Sequence, residues 1–150
     1  TKYYVDGGLL LSGSGQDWSQ AFNSLNTALA AAYPGDEIWL KGGHTYIPTS
    51  SVDRTDCFKI CEDISIYGGF DGNELNINKR APINNRPQSI ISGDIGHKDD
   101  ASDNCYHVIQ YKKSLTLDGV IIEGGNANYN GNNLNDTLHK YGGALITQNV

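Results

Sequence analysis

The amino-acid sequence predicts an all-β protein, a parallel β-helix (a solenoid) whose coils, or rungs, contain roughly 25 residues each. Three observations support this prediction. Short apolar strands end in glycine at an almost constant interval, one amphipathic helix precedes them, and 18 of the 150 residues are glycine. Frequent glycine is typical of a chain with many tight turns. We therefore predict a single domain over residues 1–150, with lead-in strand and turns at 1–16 and rungs at 37–150.

A capping helix is predicted over residues 17–33. Asp17 can accept a hydrogen bond in the first turn, and Gln20, three positions later, completes a capping box. Pro34-Gly35 ends the helix. The apolar side chains recur at spacings of four, three and four residues and form one stripe, Trp18, Phe22, Leu25 and Leu29. Because a terminal rung exposes unpaired backbone groups, we expect this stripe to cover the N-terminal end of the stack.

Glycine-closed strands follow the helix. They are "IWLKGG" (38–43), "ISIYGG" (64–69), "SIISGD" (89–94) and "SLTLDG" (114–119). The first glycines after these strands are Gly42, Gly68, Gly93 and Gly119, at intervals of 26, 25 and 26. A fixed period in this range indicates stacked repeats, with like strands forming ladders. An ordinary β-sandwich is the alternative, but it gives no reason for a constant glycine interval.

The C-terminal end carries no comparable cap. The chain stops at "GGALITQNV", within what the pattern predicts to be another rung. We expect either further rungs of the same chain or another copy to cover this open rung.

The overall charge and hydropathy argue against nucleic-acid binding and against a membrane-spanning segment. The formal net charge is −6 and the basic residues are scattered, which argues against a nucleic-acid partner. No apolar run approaches the roughly 20 residues needed to span a bilayer. We predict neither nucleic-acid binding nor a membrane span.

The three cysteines form no closed disulfide framework, since their number is odd. Cys57 and Cys61 lack a second close Cys/His pair, so the spacing does not predict zinc. The repeat register places Cys57 and Cys105 about two rungs, or roughly 10 Å, apart, which disfavours a disulfide between them.

The segment "ISGDIGHKDDASDN" (91–104) concentrates acidic residues. Calcium prefers hard oxygen ligands, and this segment offers four carboxylates, Asp94, Asp99, Asp100 and Asp103. The alternative is a solvated turn, because Asp, Gly, Ser and Asn are also the usual turn residues. The spacing matches no EF-hand loop. We predict a possible calcium site at these four aspartates and no catalytic residue.

The longest polar stretch is "NANYNGNNLND" (126–136), which predicts a loop projecting from the rungs. "NDT" at 135–137 makes Asn135 a glycosylation acceptor in a eukaryotic secretory setting. Loops of this kind are where a rigid scaffold carries recognition.

The segment "WSQAFNSLNTALAAAYPGDEIWLKGGHTYIPT" resembles the capping helix and first rung of secreted right-handed β-helix proteins of the pectin-lyase-like superfamily. "IYGGFDGNE" and "LDGVIIEGGNA" resemble later rungs of bacterial cell-surface members, and "YGGALI" is similar to the GGA-[ILV] repeat of polymorphic outer membrane proteins. The resemblance implies a right-handed β-helix in a secreted or cell-surface setting. It leaves activity open, since that superfamily includes lyases, glycoside hydrolases, adhesins and structural surface proteins.

These observations favour a structural or adhesive extracellular module, a rigid scaffold that displays loops toward a polysaccharide or another cell-surface ligand. One alternative is the N-terminal part of a polysaccharide lyase or glycoside hydrolase. Another is a filament subunit that stacks through its open C-terminal rung. The residues at hand favour a module that is not itself an enzyme.

Overall fold

The structure, a computed structural model, describes residues 1–132 and 139–147. Its one α-helix is α1 (Leu25–Ala31), and single 3₁₀ turns lie at Trp18–Gln20, Ile77–Lys79 and Ile83–Asn85. The strands are β1 (Lys2–Val5), β2 (Glu37–Lys41), β3 (His44–Tyr46), β4 (Phe58–Ile60), β5 (Ile64–Phe70), β6 (Ser89–Ser92), β7 (Ile109–Tyr111), β8 (Leu115–Asp118), β9 (Val120–Glu123) and β10 (Leu145–Thr147). Asn135, the predicted glycosylation acceptor, lies outside the described residues.

The strands form three short sheets in the orders β1-β2-β5-β8, β10-β7-β4 and β3-β6-β9. The chain divides into two compact units, each assembled from three separate segments. The first contains Thr1–Tyr46, Glu62–Ile90 and Lys113–Ile121, and the second contains Ile47–Cys61, Ile91–Lys112 and Ile122–Val150.

The first unit is built on the four-stranded parallel sheet and an aromatic core. Trp39 of β2 and Phe70 of β5 are fully buried, and their rings stack with centroids 4.4 Å apart. Tyr4 of β1 meets Trp39 edge-on at 5.6 Å. Trp18 packs against Phe70 at 5.6 Å and donates its indole N–H to the Glu74 carbonyl at 2.9 Å. Offset and edge-on packing of aromatic rings stabilises a core by more than the burial of apolar area alone.

The predicted continuous helix over 17–33 is interrupted. Asp17 caps a 3₁₀ turn, its carboxylate accepting the Gln20 N–H at 2.9 Å as expected from the capping box. Phe22 then forms a parallel bridge with Val5, and its N–H donates to the Tyr4 carbonyl at 2.9 Å. Backbone groups used in this way cannot also serve a helix. The α-helix therefore begins only after Ser24, whose hydroxyl accepts the Thr27 N–H.

The four residues of the predicted capping stripe have different surroundings. Phe22 and Leu25 are buried, whereas Trp18 is partly buried in the aromatic core and Leu29 is half-buried.

The second unit contains the three-stranded parallel sheet β10-β7-β4. Phe58 of β4 pairs with Ile109 of β7, and Ile109 pairs with Leu145 of β10. Phe58, Ile109 and the neighbouring Val108 are fully buried and form the apolar centre of this unit.

The predicted fold class, an all-β right-handed parallel β-helix with rungs of constant length, is wrong. Within residues 1–132 and 139–147 the structure has three short parallel sheets and one helix, not a long solenoid. The pairing intervals are unequal, since Trp39 of β2 pairs with Tyr67 of β5, 28 residues later, and Tyr67 pairs with Asp118 of β8, 51 residues later. The regular glycine interval does not follow this pairing, because Gly42 follows β2, Gly68 lies within β5 and Gly119 follows β8, whereas Gly93 follows β6 in another sheet.

The predicted turn glycines have a different role from the one expected. Of the four, only Gly119 has a positive φ, 73°. Gly68 lies where the chain approaches Gly119 so closely that a Cβ atom would stand 2.5 Å from the Gly119 carbonyl oxygen. Gly42 likewise meets the Pro87 backbone, and Gly93 meets the Gly124 backbone. At Gly42, Gly68 and Gly93 glycine is required by close backbone approach and not by turn conformation.

Candidate metal centre

The predicted calcium loop lies in the second unit and is organised by its own carboxylates. Both carboxylate oxygens of Asp94 accept the Asp99 N–H, at 3.2 and 3.1 Å. Asp99 has a φ of 64°, in the left-handed region that non-glycine residues rarely adopt. Asp100 accepts bonds from the Ser102 hydroxyl at 2.6 Å and the Ser102 N–H at 2.9 Å, and these bonds lower the pKa of Asp100. Asp100 is therefore already engaged in a turn.

One group of side chains in this loop contains a histidine. The ligand atoms of His97, Asp100 and Asp103 all lie within 4.8 Å of one another. Asp103 accepts both the backbone N–H of His97 at 2.8 Å and a contact from its ring Nδ1 at 3.1 Å. The His97 side chain is 87% exposed, so this group sits at the surface.

A separate recess of about 310 Å³ lies at the ends of β6 and β9. It is lined by Ser92, Asp94, Asp99, Ala101, Asn104, Glu123 and Gly124. Asn104 is only 8% exposed, and its amide oxygen has no hydrogen-bond partner. The backbone N–H of Gly93 donates to the Glu123 carbonyl at 2.9 Å, which brings the two strand ends together.

The structure thus separates the four predicted aspartates into two groups. Asp94 and Asp99 line the recess, whereas Asp100 and Asp103 group with His97. Sequence reasoning missed Glu123 as a neighbour of the loop, because the two are joined only by the pairing of distant strand ends. The burial of Asn104 has no local signature in the sequence.

Arg54 links the two polar loops of the second unit. Its Nε donates to the Asn104 carbonyl at 2.7 Å, and its Nη2 donates to the Asn126 carbonyl at 3.0 Å and the Asn128 side-chain oxygen at 2.7 Å. The guanidinium also lies 4.1 Å from the centroid of the Tyr106 ring. Asn126 adds a direct bond between the loops, donating its side-chain amide to the Ala101 carbonyl at 2.6 Å. These bonds join Asn126 and Asn128, at the start of the second loop, to Ala101 and Asn104 of the first.

A histidine pair lies beside this network. His107 is buried, with Nδ1 2.9 Å from the Gly142 carbonyl and Nε2 3.2 Å from Nδ1 of His139. Burial lowers the pKa of His107, and the neighbouring His139 lowers it further against the opposing effect of the Gly142 carbonyl.

This histidine predicts a pH dependence of stability. Because the folded state binds the His107 proton more weakly than the unfolded state, stability should fall as the pH drops below about 6.5. We expect the melting temperature to be lower at pH 5.5 than at pH 7.5. His107→Asn keeps an amide donor for the Gly142 carbonyl but cannot titrate, so its melting temperature should change less over this interval. Equal changes in both proteins would exclude His107 as the group responsible.

The cysteines are free thiols. Burial raises the pKa of Cys105 to about 11, and Cys57 lies within 3.6 Å of the Gln110 side-chain oxygen. The predicted separation of Cys57 and Cys105 by two rungs is wrong, because β4, which follows Cys57, pairs directly with β7, which follows Cys105.

Comparison of the chain with models of protein families, with curated proteins and with solved structures finds no match. The resemblance to pectin-lyase-like proteins and the secreted location therefore stay predictions, and nothing supports the extracellular or adhesive role that they implied. Among the described residues, no helix has the length and apolar character needed to cross a membrane.

Proposed function

We propose that this chain is a structural recognition module, a strand scaffold that holds polar loops in place for a neutral, hydroxyl-rich polysaccharide. The observation that supports the proposal most directly is Arg54, whose three hydrogen bonds join Asn104 of the first loop to Asn126 and Asn128 of the second. Loops that are ordered before binding lose less conformational entropy when a ligand arrives.

The chemistry of the second loop favours hydroxyl groups. Asn130 and Asn132 are exposed, and an amide side chain offers both a donor and an acceptor. Sugar hydroxyls present the same combination. The net charge of −6 disfavours an acidic polysaccharide, so we expect a neutral one.

Affinity electrophoresis in gels containing a soluble neutral polysaccharide tests the proposal, with a panel that covers β-glucan, xylan and mannan. We expect the wild-type chain to be retarded by at least one member of the panel. Arg54→Ala should weaken that retardation about tenfold in apparent affinity, because loss of charged hydrogen bonds releases the loops.

Lys113→Ala is the matched control, since it removes one positive charge from an ion pair with Glu62 in the first unit. It should migrate with unchanged retardation. Arg54→Lys keeps the charge but loses the planar set of donors, and it should behave more like Arg54→Ala. The proposal would be contradicted if none of the three polysaccharides retarded the wild-type chain. It would also be contradicted if Lys113→Ala lost as much retardation as Arg54→Ala.

A further inference from the structure

We infer that the outer face of the sheet β10-β7-β4 carries a binding site for one tetrahedral oxyanion, a phosphate or sulfate group. The site is a hollow of about 270 Å³ lined by Lys59, Ile60, Cys61, Gln110 and Lys112. All five residues belong to the second unit, and none lies in its two polar loops. The inference therefore does not depend on the proposed polysaccharide binding.

Strand pairing places the polar residues of this hollow side by side. Lys59 of β4 pairs with Gln110 of β7. Phe58 and Ile60, on either side of Lys59, are buried, so Lys59 faces outward, because successive side chains of a strand point to opposite faces. The ladder continues past both strands, where the Lys112 N–H donates to the Ile60 carbonyl at 3.0 Å. Lys112, two positions after Gln110, therefore lies beside the end of β4 and lines the same hollow.

The polar side chains of the hollow offer hydrogen-bond donors. Gln110 turns its side-chain oxygen toward the Cys57 thiol, 3.6 Å away, which leaves the amide NH₂ group as a donor. Lys59 and Lys112 add two ammonium groups, each with three donors and no acceptor. Among the described residues that line the hollow, none carries a carboxylate. A ligand rich in acceptors matches this lining, whereas a cation does not.

The two lysines also carry positive charge that no carboxylate balances in the described parts of the chain. Neither Lys59 nor Lys112 forms an ion pair within residues 1–132 and 139–147. Glu62, which follows Cys61 in the chain, is already paired with Lys113 at 2.8 Å. The net charge of −6 has little influence at this position, because salt screens exposed charges beyond about 8 Å at physiological ionic strength. The hollow should therefore attract anions.

The number and position of the donors favour a tetrahedral dianion over a carboxylate. The donors belong to two strands, and Lys112 lies two residues beyond Gln110 along the sheet. A planar carboxylate offers two oxygens in one plane, whereas phosphate and sulfate offer four oxygens in three dimensions. A phosphate group carries about −1.5 to −2 charges at pH 7, and sulfate is a full dianion, so either ion balances two ammonium groups. Ordered waters can bridge the longer contacts in a hollow of this volume.

Amide NMR titrations of the whole chain test the inference, with sodium sulfate and sodium phosphate as separate probes and sodium chloride to hold the ionic strength constant. We expect saturable shifts of the backbone amides of Cys61 and Lys112 and of the side-chain NH₂ group of Gln110. Sodium acetate should bind about fivefold more weakly, since it carries half the charge. Shifts that stay linear with concentration, or that chloride and acetate reproduce, would indicate general screening and overturn the inference.

Lysine variants locate the bound ion. Lys59→Gln and Lys112→Gln each remove one ammonium group and should weaken sulfate binding about fivefold. Lys113→Gln is the matched control, because it removes the same charge from the next residue, which is paired with Glu62 in the first unit. It should bind sulfate as the wild type does. Equal weakening by Lys112→Gln and Lys113→Gln would overturn the inference.

A substitution at Gln110 tests the donor. Gln110→Glu keeps an acceptor for the Cys57 thiol but replaces the amide donor with a negative charge, so it should abolish sulfate binding. Its amide spectrum should otherwise match that of the wild type, which shows that the fold is retained. Undiminished sulfate binding by this variant would place the ion elsewhere and contradict the inference.

The pH dependence distinguishes the two ions. Between pH 7.5 and pH 5.5 sulfate keeps its charge, whereas phosphate takes up a proton and becomes mainly monoanionic. The affinity for phosphate should therefore fall relative to that for sulfate over this interval. A constant ratio of the two affinities would refute the requirement for a dianion. Tighter binding of one ion at pH 7.5 would support the inference and assign the site to phosphate or to sulfate groups.

Discussion

Trp39→Ala is expected to lower the free energy of unfolding by about 3–5 kcal/mol. Trp39 is 1% exposed, its ring stacks on Phe70 at 4.4 Å, and Tyr4 meets it edge-on at 5.6 Å. Lys2 places its ammonium 3.9 Å from the centroid of the ring. Truncation would leave a cavity between two aromatic rings that the strands β1 and β5 hold in position, so the space cannot close readily.

Equilibrium unfolding in urea measures this effect. Trp39→Phe keeps a ring in contact with Phe70 and should cost less than half as much. Tyr33→Ala serves as the control for loss of an aromatic side chain, because Tyr33 is 73% exposed, and it should change the free energy of unfolding by less than about 0.5 kcal/mol. Similar values for Trp39→Ala and Tyr33→Ala would mean that the aromatic core does not stabilise the first unit.

Gly68→Ala is expected to destabilise the chain by about 1–3 kcal/mol through overpacking. The new methyl group would stand 2.5 Å from the Gly119 carbonyl oxygen and 2.8 Å from both Ser89 Cβ and Val120 Cγ1. Two of these three contacts involve packed side chains, and the third involves a backbone oxygen that cannot move without disturbing β8. The strands would have to separate to admit the methyl group.

Gly35→Ala provides the comparison for backbone strain alone. Gly35 has a φ of 86°, but an added Cβ would meet no atom within 4 Å. This control should cost about 1 kcal/mol. Urea unfolding of both variants separates the two effects, and a Gly68→Ala protein as stable as the wild type would show that the close approach at Gly119 is not maintained in solution.

The sequence predicted the positions of the strands better than their partners. "IWLKGG", "ISIYGG" and "SLTLDG" overlap β2, β5 and β8, which are neighbours in one sheet. "SIISGD" is likewise a short apolar run closed by glycine, yet it forms β6 in another sheet. The local pattern of apolar residues indicates burial and strand propensity, but it does not indicate which strands pair with each other. The regular interval between glycines was therefore misleading.

The helix and the candidate site also show that local sequence does not reveal contacts between distant residues. The bond from the Gln20 N–H to Asp17 is local and was predicted, whereas the bridge between Phe22 and Val5 spans 17 residues and separates the 3₁₀ turn from α1. Asp94 and Asp99 were identified because they are close in sequence. Glu123 lies far along the chain, and only the pairing of strand ends brings it beside them.

The interleaving of the two units constrains how the chain can fold during synthesis. The first unit needs β8, whose residues Leu115–Asp118 lie in its last segment, Lys113–Ile121. A ribosome must therefore translate past Asp118 before the four-stranded sheet can close, by which time two of the three segments of the second unit have also been translated. Neither unit corresponds to a continuous fragment that could be expressed alone. Folding that depends on such distant contacts is intrinsically slow, and the unpaired strands are exposed to aggregation until β8 arrives.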